Sequence, residues 1–116
     1  MDKLNVRATS APQGTIVKIG GEITVAEVDE LERQLQALTA LSTSTFVLDL
    51  SELTFAASLA IGCLLRFRGS VAAAGGRVAL ADMQPMINDS FRRAQLHRVF
   101  AIYPTVNDAL NNEVAH

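Results

Sequence analysis

Few residues in this chain could do catalytic chemistry. Ser58, the single cysteine Cys63, the histidines His97 and His116, and the acidic pair Glu22 and Asp49 are the candidates. A serine nucleophile needs a base and an oxyanion cradle. Ser58 has Ala56 and Ala60 where a nucleophile elbow has glycines. His97 is its one conceivable base, and no carboxylate stands at a recognisable spacing to orient it. Gly20-Gly21 and Gly75-Gly76 are isolated pairs at turns, not a P-loop or dinucleotide fingerprint. One cysteine and two histidines are too few for a structural zinc site. The expectation is a non-enzymatic protein with no metal and no cofactor.

The same residues have plainer roles. Asp49 sits in the apolar run Phe46-Val47-Leu48-Asp49-Leu50 and reads as a hydrogen-bonded structural aspartate. Cys63 lies in an apolar helical stretch and reads as a buried, inert thiol. His97 neighbours Arg92, Arg93 and Arg98, a solvated basic face or a docking patch for an acidic partner. Ser58 stands where a strand-to-helix loop becomes a helix. Its hydroxyl can cap the helix there, and a phosphate on it would meet favourable helix amides. The two roles are compatible.

The elements that position these residues follow from periodicity. Leu4, Val6 and Ala8 alternate with polar residues, Pro12-Gln13-Gly14 marks a turn, and Thr15 to Ile19 is β-branched up to Gly20-Gly21. This predicts a hairpin. Thr24 and Glu27 have capping-box spacing, and Val28, Leu31, Leu35, Leu38 and Leu41 share one helical face. Strand 46–50 leads through loop 51–54 and residues 55–58 into a helix over 58–74, ended by Gly75-Gly76. Strand 77–81 follows. Pro85 then opens a helix with Met86, Ile87, Phe91, Ala94 and Leu96 on its apolar side. A short strand over 99–102 and a helix from Thr105 through Leu110 towards Val114 complete the chain. The order β-β-α-β-α-β-α-β-α predicts an α/β fold: a mixed, mostly parallel sheet with an antiparallel edge hairpin and about four helices. Sites in such sheets form at the carboxyl ends of strands, where loop 51–58 lies.

Composition agrees. The 116 residues suit a single domain over 1–116. Hydrophobic residues are 49% and charged residues 19%, enough for a core and too little charge for disorder. A net charge of -2 argues against a nucleic-acid partner, and one cysteine excludes a disulfide-stapled scaffold. The apolar run from Phe55 stops at Arg66, about half the roughly 20 residues needed to span a bilayer. The start of the chain shows no secretory pattern, so the expectation is a cytoplasmic protein without direct membrane insertion.

Gly20-Gly21-Glu22-Ile23, Val47 to Phe55, Ser58, Gly62, Gly75 to Leu80, Pro85 and Thr105 to Leu110 together resemble the STAS domain family of sulfate transporters and bacterial anti-sigma factor antagonists. The resemblance runs nearly the whole chain, in order. It implies a partner switch: an unphosphorylated antagonist binds an anti-sigma factor that is also a serine kinase, and phosphorylation of a serine at the start of the second helix ends the binding. Ser58 occupies that serine position. The docking surface it implies comprises Glu22, Thr24, Ala57, Ser58, Leu59, Ala60 and Gly62. The family pattern Asp-Ser-Ser-Gly-Leu-Gly here reads Ala57-Ser58-Leu59-Ala60-Ile61-Gly62, and Gly-Glu-Leu-Asp reads Gly21-Glu22-Ile23-Thr24. An alternative is a STAS partner subunit of a membrane transport complex, of the phospholipid type, or of a signalling scaffold without a phosphorylation switch.

Overall fold

A computed structural model describes residues 3–41 and 43–111. Val114 and His116, which the sequence drew into the last helix and among the histidines, lie outside the described residues. The hairpin forms as expected: β1 (Asn5–Ala11) pairs antiparallel with β2 (Gly14–Ile23), in a register from Asn5↔Gly20 to Ala11↔Gly14. Beyond it come α1 (Val28–Leu38), β3 (Thr45–Asp49), β4 (Leu53–Ala56) and α2 (Ser58–Ala73). Then follow β5 (Arg77–Ala81), α3 (Pro85–Arg93), β6 (Ala101–Tyr103) and α4 (Val106–Leu110). The main sheet runs β1-β2-β3-β5-β6, parallel after the hairpin, and β4 joins β2 off that path.

Strand alternation divides the core between two faces. Val17, Ile19, Phe46, Leu48, Val78, Leu80 and Ile102 point to one side and pack with Leu31 and Leu35 of α1, Leu64 and Phe67 of α2, and Ile87 and Phe91 of α3. The Phe46 and Phe67 rings meet edge-on, with centroids 5.1 Å apart. The other side carries Val47, Ala79, Ala81 and Tyr103 against Ala109 of α4. α4 has five residues and is pinned at both ends by side chains flanking β5. Asp82 accepts the Val106 amide at 3.1 Å, and Arg77 donates to the Ala109 carbonyl at 2.9 Å. Thr105 caps it, accepting the Asp108 amide at 3.1 Å.

Several boundaries differ from the sequence reading, each for a local reason. β2 does not stop at Gly20-Gly21 but continues to Ile23, because β4 supplies a second partner. Residues 53–56, expected as loop, are that partner. The Thr24–Glu27 spacing opens a 3₁₀ turn over Val25–Glu27 before α1, with the Glu27 carboxylate accepting both the Thr24 amide (3.0 Å) and its hydroxyl (2.7 Å). α1 ends at Leu38, leaving Leu41 exposed. The last strand starts at Ala101, not Val99. The amides of Val99 and Phe100 both bond back to the Leu96 carbonyl, closing a 3₁₀ turn over Leu96–Arg98.

α2 ends in a Schellman motif. Gly75 takes φ +88°, and the Gly76 amide reaches the Val71 carbonyl at 2.9 Å. A Cβ on Gly76 would lie 2.5 Å from the Ser44 carbonyl oxygen, whereas one on Gly69, in mid-helix, would meet nothing within 4 Å. Gly69→Ala should therefore raise stability by about 0.5–1 kcal/mol, and Gly76→Ala should lower it by about 1–3 kcal/mol. Urea denaturation midpoints moving in opposite directions is the expected result.

Candidate functional site

The site is built where β2 changes partners. Along Thr15–Lys18 it pairs with β3; from Gly21 to Ile23 it pairs with β4, across a register shift between Gly21 and Glu22. Gly21 stands at φ +87°, where a side chain would be strained. Residues 51–54, which lead into and open β4, are tied to Gly21 through backbone and side chains. The Gly21 amide bonds to the Glu52 carbonyl at 2.9 Å, and the Thr54 hydroxyl donates to the Gly21 carbonyl at 3.2 Å. Asp49 accepts the Ser51 amide at 3.0 Å, the structural role its place in the strand suggested, and Gln84 donates to the Ser51 carbonyl at 2.9 Å. A polar cleft of about 590 Å³ opens here, lined by Lys3, Gly20, Gly21, Glu52 and Gln84 among others.

Glu22 and Ile23 lie beside Phe55 and Ala56, and the Ala57 amide donates to the Ile23 carbonyl at 2.8 Å. This bond delivers the chain into α2 and brings Glu22, Thr24, Ala57, Ser58 and Leu59 to one end of the sheet. The helix cap falls on Ala57, with extended backbone (φ -66°, ψ 157°), so Ser58 is the first helical residue rather than the cap. Ser58 is exposed, and its hydroxyl makes no hydrogen bond to any described residue. No acidic residue lies in the first turn of α2, which leaves the positive end of the helix uncompensated there.

Two of the expected surface residues stand back from it. Ala60 is fully buried, because α2 turns positions 60, 63, 64, 67 and 71 towards the sheet; it supports the helix and offers no side chain to a partner. Gly62 is half-buried, one turn beyond Ser58. Three further apolar side chains are exposed at this end, Val25 (66% exposed), Phe55 (47%) and Met86 (75%), and join Leu59 (58%); of these, Met86 was expected on the apolar side of its helix. By hydropathy alone Phe55 and Met86 look like core. Only their placement, on a short strand beside α2 and in the first turn of α3, shows otherwise.

The other chemical candidates lie elsewhere. His97 is exposed in the turn that enters β6, at the amino end of the parallel strands, while Ser58 follows their carboxyl end. The fold thus holds the supposed nucleophile and base at opposite edges. Among the described residues no cluster of three His, Cys, Asp or Glu side chains could hold a metal ion, and no helix is long and apolar enough to cross a membrane.

Cys63 is fully buried between α1 and α2. Its sulfur lies 3.7 Å from Glu32 Oε1, which is ion-paired with Arg66 through Nε at 2.8 Å. Burial, and then the Glu32 charge, raise its pKa above the ordinary thiol value. A raised folded-state pKa keeps the thiol protonated where the unfolded chain would ionise. Its contribution to stability is complete below the thiol range and is lost as pH rises through it. Native protein should react with a thiol-directed disulfide reagent at the rate of opening, far more slowly than urea-unfolded protein. Cys63→Ala should flatten the alkaline fall in stability.

Comparison with known proteins matches this architecture to one family. The STAS domain family model matches residues 5–109. No curated protein sequence gives a significant match. An anti-sigma factor antagonist of Mycobacterium paratuberculosis superposes with a TM-score of 0.86 at 24% identity, covering 96% of this chain and 94% of that one. The anti-sigma factor antagonist SpoIIAA superposes in its unphosphorylated form with a TM-score of 0.77 (17% identity, 93% and 95% covered). The phosphorylated form of the Bacillus cell fate determinant SpoIIAA gives 0.69 (16% identity, 95% and 98% covered). SLC26A9 also shares the fold, with a TM-score of 0.72 at 15% identity; 84% of this chain matches 19% of that one. At these identities the structures establish the fold alone, while the family match spans nearly the whole chain. A mixed sheet whose second strand changes partners at Gly21, and a helix opening on an exposed serine, thus have their place: the chain belongs to the STAS domain family.

Proposed function

We propose that this protein is a regulatory antagonist that docks on an anti-sigma factor of the serine-kinase type through the surface around Ser58, and that phosphorylation of Ser58 ends the contact. The observation that carries this reading is the state of Ser58: exposed, unbonded, and at the start of a helix whose first turn has no acidic residue. A phosphate there gains the helix amides and adds about -1.5 to -2 charges without breaking any hydrogen bond of the fold. Val25, Phe55, Leu59 and Met86 supply apolar contact area beside it, of the kind found at interface cores. Such a contact is sensitive to a charge placed in its midst, because the charge must be desolvated on docking.

The departures Ala57 and Leu59 shift recognition from charge to apolar contact, while the departure Ala60 is buried against the sheet. Ala57 brings no carboxylate for a kinase to read, while Leu59 presents a side chain where the family pattern has a second hydroxyl. The same apolar character supports a second reading, a constitutive STAS partner in a transport assembly, for which the shared fold of SLC26A9 is a precedent in architecture.

The test is partner capture with wild-type, Ser58→Ala and Ser58→Asp protein, followed by titration of the retained partner. Wild type and Ser58→Ala should bind alike. Ser58→Asp and Leu59→Asp should each weaken binding about tenfold or more, about 1.4 kcal/mol. Incubation of the complex with ATP should phosphorylate wild type and leave Ser58→Ala unlabelled. Equal retention of one transport ATPase by wild type and Ser58→Asp would replace the first reading with the second.

A further inference from the structure

β1 is the long free edge of the sheet. It has seven residues, pairs among the described residues with β2 alone, and contains neither a proline nor a bulge. Edge strands are usually blunted by such features or by charge; β1 has one charged residue, Arg7. Pro12-Gln13 closes the hairpin as a two-residue turn, which makes Ala11↔Gly14 a hydrogen-bonded pair. Pairs alternate from there, so Asn5, Arg7 and Thr9 bond to β2, while the amides and carbonyls of Val6, Ala8 and Ser10 point outwards. The side chains of Val6 and Ala8 form the floor of a groove of about 400 Å³ beside α1, walled by Ala37 and Leu38 with Arg33 and Gln34 at its rim. The Arg33 charge is already met by Glu30, through Nε at 3.1 Å. A free backbone edge and an apolar groove therefore run side by side.

We propose that this edge pairs antiparallel with β1 of a second copy of the chain, joining the two sheets into one. The strand is its own complement about Ala8. A two-fold axis there sets Ala8 against Ala8 as a hydrogen-bonded pair, with the smallest side chain of the strand on the axis. It sets Val6 against Ser10, so the outward amides and carbonyls of each strand meet those of the other. Arg7 faces Thr9 of the second copy, so like charges do not oppose each other across the seam. The two α1 grooves merge over the seam into one apolar channel. α1 lies between this edge and α2, so the pairing leaves Ser58 and Leu59 uncovered and does not depend on the function proposed for them.

Sedimentation velocity over micromolar to millimolar concentration tests the proposal on wild type, Ala8→Pro and Ala8→Lys. Wild type should pass from monomer to dimer. Ala8→Pro removes an outward donor without touching the β1–β2 ladder, and Ala8→Lys sets two like charges on the axis. Each should raise the dissociation constant at least about tenfold, with far-UV circular dichroism unchanged. Should the proline variant misfold, the lysine variant decides alone. Amide exchange should slow at Val6, Ala8 and Ser10 in the dimer. A wild-type chain that stays monomeric at every concentration would overturn the proposal, as would a dimer that Ala8→Lys leaves intact or one that Leu59→Asp disrupts instead.

Discussion

The structure turns on the backbone of β2 serving two parallel neighbours in succession. Its first half fills the gap beside β3 and its last three residues lie beside β4. The register shifts there between Gly21 and Glu22, with Thr54 of β4 as the extra residue, and Gly21 takes a backbone angle that side chains resist. Glu52 accepts the Gly21 amide and Thr54 donates to the Gly21 carbonyl, so residues 51–54 and the glycine pair are fixed by each other. The start of α2, and with it Ser58, is placed by this arrangement and not by any contact of its own.

The rest of the chain makes that end of the sheet rigid and leaves its surface open. Three helices cover one face of the sheet with large side chains, Phe67 and Phe91 among them, packed with Phe46 of β3. The opposite face has small residues at Ala79 and Ala81, so a five-residue helix covers it at close range. A helix that short is not stable alone. Asp82 and Arg77 satisfy its ends from the two ends of β5. Between α1 and α2, Glu32 and Arg66 form an ion pair at the rim while Cys63 fills the interior. Of the large apolar side chains left outside the core, Val25, Phe55, Leu59 and Met86 lie at the carboxyl end of the strands.

Much of this was legible in the sequence. The Leu31–Leu35 spacing, the apolar runs at 46–50 and 77–81, the Gly75-Gly76 stop and the Thr105–Asp108 cap each led to the element found. Asp49 and Cys63 have the structural roles their surroundings implied. Where the reading failed, short-range pattern met a tertiary competitor. Residues 53–56 are too few to announce a strand, and exist as one because β2 has unpaired backbone beside them. Val99 and Phe100 are apolar and β-prone, yet their amides are taken by the Leu96 carbonyl. Ser58 looks like a cap, but the cap passes to Ala57, whose amide is held by Ile23.

By itself the sequence determined most element types, the parallel sheet with its edge hairpin, and the family, and it singled out Ser58 as the candidate residue. These depend on periodicity, turn chemistry and local spacing, all carried by neighbouring residues. Tertiary structure alone decided which apolar side chains stay outside the core. Val25, Phe55, Leu59 and Met86 have the hydropathy of buried residues and are exposed because their elements end where the sheet ends. It also decided that Ala60 is buried and that Ser58 and His97 stand at opposite edges. Burial and proximity depend on residues distant in the chain, and local pattern carries no record of them.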